Sequence, residues 1–194
     1  MNKLQQDDLL NLEEYSLKRD DLRENILAIK KNRKVQIGSN VTLLFENLQT
    51  VRYQVQEMLR IEKIFEQDGI EEELATYNPL IPDGSNLKAT MMIEFPDEIV
   101  RKERLTQLVG IEDKVWLQIG ENDRTFAEAD EDLERSTEEK TSAVHFLRFE
   151  LSSLMIKDLQ SSVTLFAGID HPNYNIRTQE IPASISASLA EDLI

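Results

Sequence analysis

The stretch VQIGSNVTLLFENLQTVRYQVQEMLRIEKIFEQ, residues 35–67, changes its hydrophobic period part-way, and that change sets the fold class. Val35 and Ile37 alternate with polar neighbours, Gly38-Ser39-Asn40 supplies a turn, and Val41 to Glu46 resumes as a second strand. From Leu48 the spacing becomes helical. Leu48, Val51, Val55, Met58, Leu59 and Phe65 fall on one face of a helix running to Gln67, an arc roughly 120° wide. Glu62 lies inside that arc. A carboxylate buried alone is too costly to tolerate, so the pattern places Glu62 in a polar cluster inside the fold, paired, protonated or hydrated.

Leu4–Leu12 reads as a short amphipathic segment, and Glu14–Lys31 as a longer helix with Tyr15, Leu22, Ile26 and Ile29 inward. The basic run Lys30, Lys31, Arg33 and Lys34 at its C-terminus suits the helix dipole, which predicts capping and a solvated face. Gly69 should end the Glu62 helix, with Ile70–Tyr77 a further short one. Leu87–Phe95 is a strand, Pro96 stops it, and Asp97 caps a helix running to Val109 with Gly110 beyond. Lys114–Gly120 and Arg124–Ala127 pair across a turn. Glu128–Thr141 is a polar surface loop with a helical turn, where Ser136 and Glu139 have capping-box spacing. Ser142–Leu151 and Val163–Ile169 are strands around a helix at Ser152–Leu159, and a weakly amphipathic helix with Ser184 as cap closes the chain. Strands and helices without a regular βαβ rhythm predict an α+β single domain, 1–194, with a mostly antiparallel sheet. Within it lie a helical N-terminal segment (1–31), an α+β core (32–181) and a helical tail (182–194).

With 194 residues, 40% hydrophobic and 30% charged, the chain is sized for one continuous core. A formal charge of −15 argues against nucleic acid and anionic lipid, both of which need positive surface. No apolar run reaches the ~18 residues needed to span a bilayer, and the N-terminus lacks a signal-peptide pattern, so a cytoplasmic location is expected. There is no cysteine, which excludes disulfides, thiol nucleophiles and thiolate-bound clusters on this chain.

The two histidines share the inward bias of Glu62. Alternation puts His145 with Ala143, Leu147 and Phe149, and His171 with Leu165, Ala167 and Ile169. Two readings follow: satisfied core histidines, or a pocket of Glu62, His145 and His171 doing acid–base or metal chemistry. No spacing matches a known metal-ligand motif, and a transition metal on these three residues is the only cofactor the pattern leaves open. A second candidate is the turn NPLIPDGSNLK, where Asn78, Asp83, Asn86 and Lys88 could surround a ligand or simply build a turn. Nucleophile-elbow and dinucleotide fingerprints are absent from the sequence.

Several long stretches together are distinctive: QEMLRIEKIFE (Gln56–Glu66), YNPLIPDGSNLKATMMIEFPDE (Tyr77–Glu98), VGIEDKVW (Val109–Trp116), ADEDLERSTEEKTSAVHFLRFEL (Ala129–Leu151) and GIDHPNY (Gly168–Tyr174). They resemble the bacterial domain-of-unknown-function family 3501, over nearly the whole chain. That resemblance implies no established activity. It implies genes beside a rubrerythrin-like diiron protein and a cysteine-rich iron–sulfur oxidoreductase, and hence a supporting role in peroxide defence or electron transfer. The expectation is an accessory or binding protein with those partners and no cofactor of its own. The alternative is a small His/carboxylate enzyme or non-thiol metalloprotein.

Overall fold

A computed structural model describes residues 3–194. Its elements in chain order are α1 (Leu12–Lys31), β1 (Lys34–Ile37), β2 (Val41–Phe45), α2 (Leu48–Glu62), α3 (Gln67–Tyr77), β3 (Asn86–Ile93), α4 (Glu98–Gln107), β4 (Val115–Ile119), β5 (Thr125–Phe126), β6 (Glu128–Ala129), β7 (Val144–Glu150), α5 (Ser153–Gln160), β8 (Leu165–His171), β9 (Tyr174–Arg177) and α6 (Ala183–Ala190). The class is α+β in one domain, as predicted. The strands form two sheets, ordered β1-β2-β3-β7-β6 and β5-β4-β8-β9, and every pairing is antiparallel.

The two-residue strands β5 and β6 join the sheets. β5 pairs with β4 in one and β6 with β7 in the other, and between them the Ala127 N–H donates to the Val115 carbonyl at 2.9 Å. One apolar core therefore runs through both, from Ile37, Leu43, Met91 and Phe149 to Val115, Leu117, Leu165 and Ile169. Helices α5 and α6 close it with Leu159, Ile185 and Leu189. Trp116, on the other face of β4, is also buried; its ring occupies the space where Gly168 of β8 lacks a side chain. A Cβ at that glycine would collide with the Trp116 indole.

A second apolar cluster joins Val51, Val55 and Leu59 of α2 to Leu74 of α3, Leu4 and Ile81. Here the helix reading needs correction. Asn47 caps α2 by accepting from the Gln49 and Thr50 N–H groups, but the helix stops at Glu62 because Lys63 adopts a left-handed conformation (φ 56°). Gly69 does not end α2; it lies within α3. Phe65 falls beyond the end of α2 and is 71% exposed, so the apolar face is the i, i+4, i+8 set Val51, Val55 and Leu59. Glu62 is exposed.

Arg33 corrects a second expectation. It does not sit on a solvated basic face; it is among the largest fully buried side chains. Its guanidinium donates to the carbonyls of Phe45 (2.9 Å), Glu46 (3.0 Å) and Ser188 (2.9 Å), and to the Asp192 carboxylate. A planar fork with five N–H donors can be buried only where acceptors converge, and here the β2 end and the chain's last turn supply them. Lys31 and Lys34 are exposed, as expected.

Candidate functional site

His145 sits in β7 opposite Met91 of β3, and the outward–inward alternation of the strand buries it completely. Its Nδ1 lies 2.6 Å from Asp130 Oδ2. Nε2 lies 2.9 Å from Thr141 Oγ1 and 3.1 Å from the Ser142 carbonyl. Asp130, just past β6, has φ 50°, a left-handed conformation that Asp and Asn adopt more readily than other side chains. Its Oδ1 accepts the Phe146 N–H (3.0 Å) and an Arg135 N–H (3.2 Å). The Arg135 guanidinium in turn stacks 4.5 Å over the Phe146 ring.

On the other side of the imidazole, Thr141 Oγ1 donates to Glu112 Oε2 at 3.1 Å, and the Ser136 hydroxyl donates to Glu112 Oε1. Glu112 stands in a short 3-10 turn, Ile111–Lys114, entered through Gly110 at φ 79°. The stretch 128–141 is thus no free surface loop with a capped helical turn. It contains no helix, and its Ser136, with the capping-box spacing, instead reaches a buried carboxylate.

Asp130, His145 and Thr141 follow the order of an acid, a base and a hydroxyl. Thr141 is only 1% exposed, however, and its hydroxyl is already shared between His145, Glu112 and Ser136. The network is closed on itself. Glu112, Asp130 and His145 could also present one ligand atom each to a cation, since those atoms lie within 4.8 Å of one another. A cation there would displace hydroxyl and imidazole hydrogen bonds that now satisfy the same lone pairs.

His171 ends β8 in the other sheet. Its Nδ1 accepts the Asn173 N–H (3.2 Å), so Nε2 carries the proton and donates to the Val109 carbonyl (3.1 Å). The two histidines therefore grip the same 109–112 segment by different groups, one at the Val109 backbone and one through Glu112. Of the expected pocket of Glu62, His145 and His171, the histidines turn inward but Glu62 does not: it is exposed at the end of α2, and neither histidine hydrogen-bonds to it. The paired carboxylate of that helix is Glu57. It accepts from Tyr15 (2.7 Å) and Arg19 (2.8 and 2.9 Å), and the Arg19 hydrogen bonds hold its carboxyl down at about 2.

The turn residues divide. Asn78 clamps the Leu4 backbone with two hydrogen bonds (2.8 and 3.0 Å). Asp83 accepts the Ser85 N–H at 2.9 Å, which keeps its carboxyl below the usual carboxylate range. Asn86 accepts the Asp83 N–H (3.3 Å) and donates to Glu150 (3.0 Å). These three build the turn and do not converge on a ligand. Lys88 stands apart, donating to the Pro79 carbonyl at 2.6 Å beside a cleft.

The sequence does not mark Glu112, Asp130, Arg135 or Thr141 as site residues, and it reads Ser136 as a helix cap. Glu112 lies 33 positions before His145, and nothing in a loop this polar marks which of its side chains turn inward.

A family model described as a protein of unknown function, DUF3501, matches residues 3–193. The chain belongs to this family. The resemblance read from the sequence is confirmed over nearly its whole length. A crystal structure of a novel protein of unknown function from Burkholderia pseudomallei K96243 is similar to this DUF3501 chain at 51% identity, covering 100% of both, with a TM-score of 0.95. Comparison with curated proteins gave no match. Among the described residues of this DUF3501 protein, no helix is long and apolar enough to cross a membrane.

Proposed function

We propose that this DUF3501 protein is a non-catalytic cytoplasmic accessory protein that binds the iron–sulfur oxidoreductase or the rubrerythrin-like protein its family resemblance implies. One observation carries the reading: both histidines are held by partners within the chain. His145 is enclosed by Asp130, Thr141 and Glu112, and His171 by Val109 and Asn173. A chain of charge −15 steers towards a basic face on its partner, and a chain without cysteine leaves thiolate-bound iron to that partner. Co-purification from native cells at low salt tests this. Recovery of either redox protein in stoichiometric amount supports it, and recovery of neither contradicts it.

One observation favours a second reading, a non-thiol metal site at Glu112, Asp130 and His145. Metal analysis of protein purified without an affinity tag separates the two. About one equivalent of a transition metal, lost in Asp130→Asn, would replace the accessory reading; a metal-free protein with no affinity on titration removes the metal.

A further inference from the structure

We propose that the cleft beside Lys88 binds a small organic carboxylate with an apolar body. This goes beyond the accessory reading and is tested separately from it. The cleft has a volume of about 280 Å³, at the small end of ligand pockets. Its floor is the outer face of β3 and β7, its far wall the end of α3 with the turn that follows, and its rim the loop carrying Arg135.

The antiparallel register sets Lys88 directly across from Arg148. Like charges in that position repel unless each has a counter-ion. Arg148 has three, in Glu128, Glu131 and Glu150. Lys88 has none among the described residues; the Pro79 carbonyl takes one of its three N–H groups. Burial, with Arg148 opposite, pulls its amine below the usual lysine range, although Asp83, Glu131 and Glu150 act the other way. A half-buried lysine whose ammonium lacks a counter-ion at the edge of a cleft is matched by a bound carboxylate. Glu131 and Asp132 also line the cleft, but their charges are taken up by Arg148 and Arg135; Tyr77, Leu80 and Phe146 give it apolar and aromatic surface, which calls for an apolar body on the anion. Inorganic phosphate, as small and charged but without that body, fits the ammonium and leaves the walls wet.

The test is a titration of the full chain with benzoate, followed by chemical shifts at Tyr77, Leu80 and Phe146. Benzyl alcohol serves as the uncharged probe of the same shape and inorganic phosphate as the bodiless anion. The expected result is saturable benzoate binding at those residues, weakened about tenfold or more in Lys88→Met and kept within about threefold in Lys88→Arg, the loss expected for one charge-assisted hydrogen bond. Benzyl alcohol and phosphate should each bind at least about tenfold more weakly than benzoate. Equal binding of benzyl alcohol, unchanged affinity in a folded Lys88→Met protein, or no benzoate response at these residues would each overturn the proposal. Should Lys88→Met fail to fold, the native protein's preference among the three probes still decides it.

Discussion

Arg33 and Asp192, 159 positions apart, form an ion pair inside the fold, with side chains 1% and 8% exposed. The pair ties the hairpin of β1 and β2 to the segment around Asp192, whose neighbours Leu189 and Leu193 belong to the main core. Removing one partner strands a buried charge, so Arg33→Met should cost about 3–5 kcal/mol in a urea titration. Replacing both, as Arg33→Met with Asp192→Leu, should recover most of that loss, because two apolar groups leave no charge unpaired. A double variant as unstable as the single one would show that the charges are not the reason.

The His145 network makes a second prediction. Asp130→Asn keeps a side chain suited to the left-handed backbone while removing the carboxylate facing Nδ1. We expect a loss of about 2–3 kcal/mol, the cost of weakening a buried charge-assisted hydrogen bond and of neutralising the carboxylate paired with Arg135. In Asp130→Ala, which also removes the Oδ1 that accepts the Phe146 N–H, hydrogen exchange should speed up first at Phe146. Unchanged protection there would mean that Asp130 does not hold the loop.

Glu57 sets an acid limb. Its folded carboxyl titrates at about 2, against an ordinary value of 4.5, because Arg19, Tyr15 and Arg60 hydrogen-bond the charged form. The unfolded chain therefore takes up this proton more readily than the folded one. The stabilisation is complete above pH 4.5 and is lost as pH falls through about 2. Glu57→Gln should flatten the stability profile in that window. Parallel profiles for the two proteins would contradict the assignment.

Glu62 makes the opposite prediction from the one its place on a helical wheel suggests. Exposed at the end of α2, it should tolerate Glu62→Ala within about 0.5 kcal/mol. The variant should also ease the ionisation of Glu73, whose carboxyl is raised by burial first and then by the Glu62 charge. A loss of several kcal/mol on thermal unfolding would restore the buried reading.

His171 should be the Nε2–H tautomer, since its Nδ1 accepts a backbone N–H. Long-range nitrogen–proton correlation spectra read this directly. A protonated Nδ1 in the neutral ring would contradict the hydrogen bonds to Asn173 and Val109.

Much of the fold was legible because local chemistry agreed with tertiary structure. The Gly38–Asn40 turn, the alternation of β3 and β7 and the Asp97 cap of α4 each follow from a few adjacent residues. What stayed hidden depended on contacts between distant residues. Lys63 ends α2 without the glycine that would announce a left-handed cap. The split into two sheets turns on β5 and β6, too short to show a period. Arg33 sits in a basic run that reads the same whether or not one member is buried. His145 was found from alternation, but its partners Glu112, Asp130 and Thr141 lie in turns where no periodicity says which way a side chain points.

The accessory reading predicts a physical complex, and a binding titration between purified proteins tests it most directly. Mixed with the rubrerythrin-like protein or the iron–sulfur oxidoreductase, this chain should bind one of them saturably. The affinity should fall as salt rises from about 50 to about 300 mM and screens its acidic surface. No association with either protein at low salt would contradict the account.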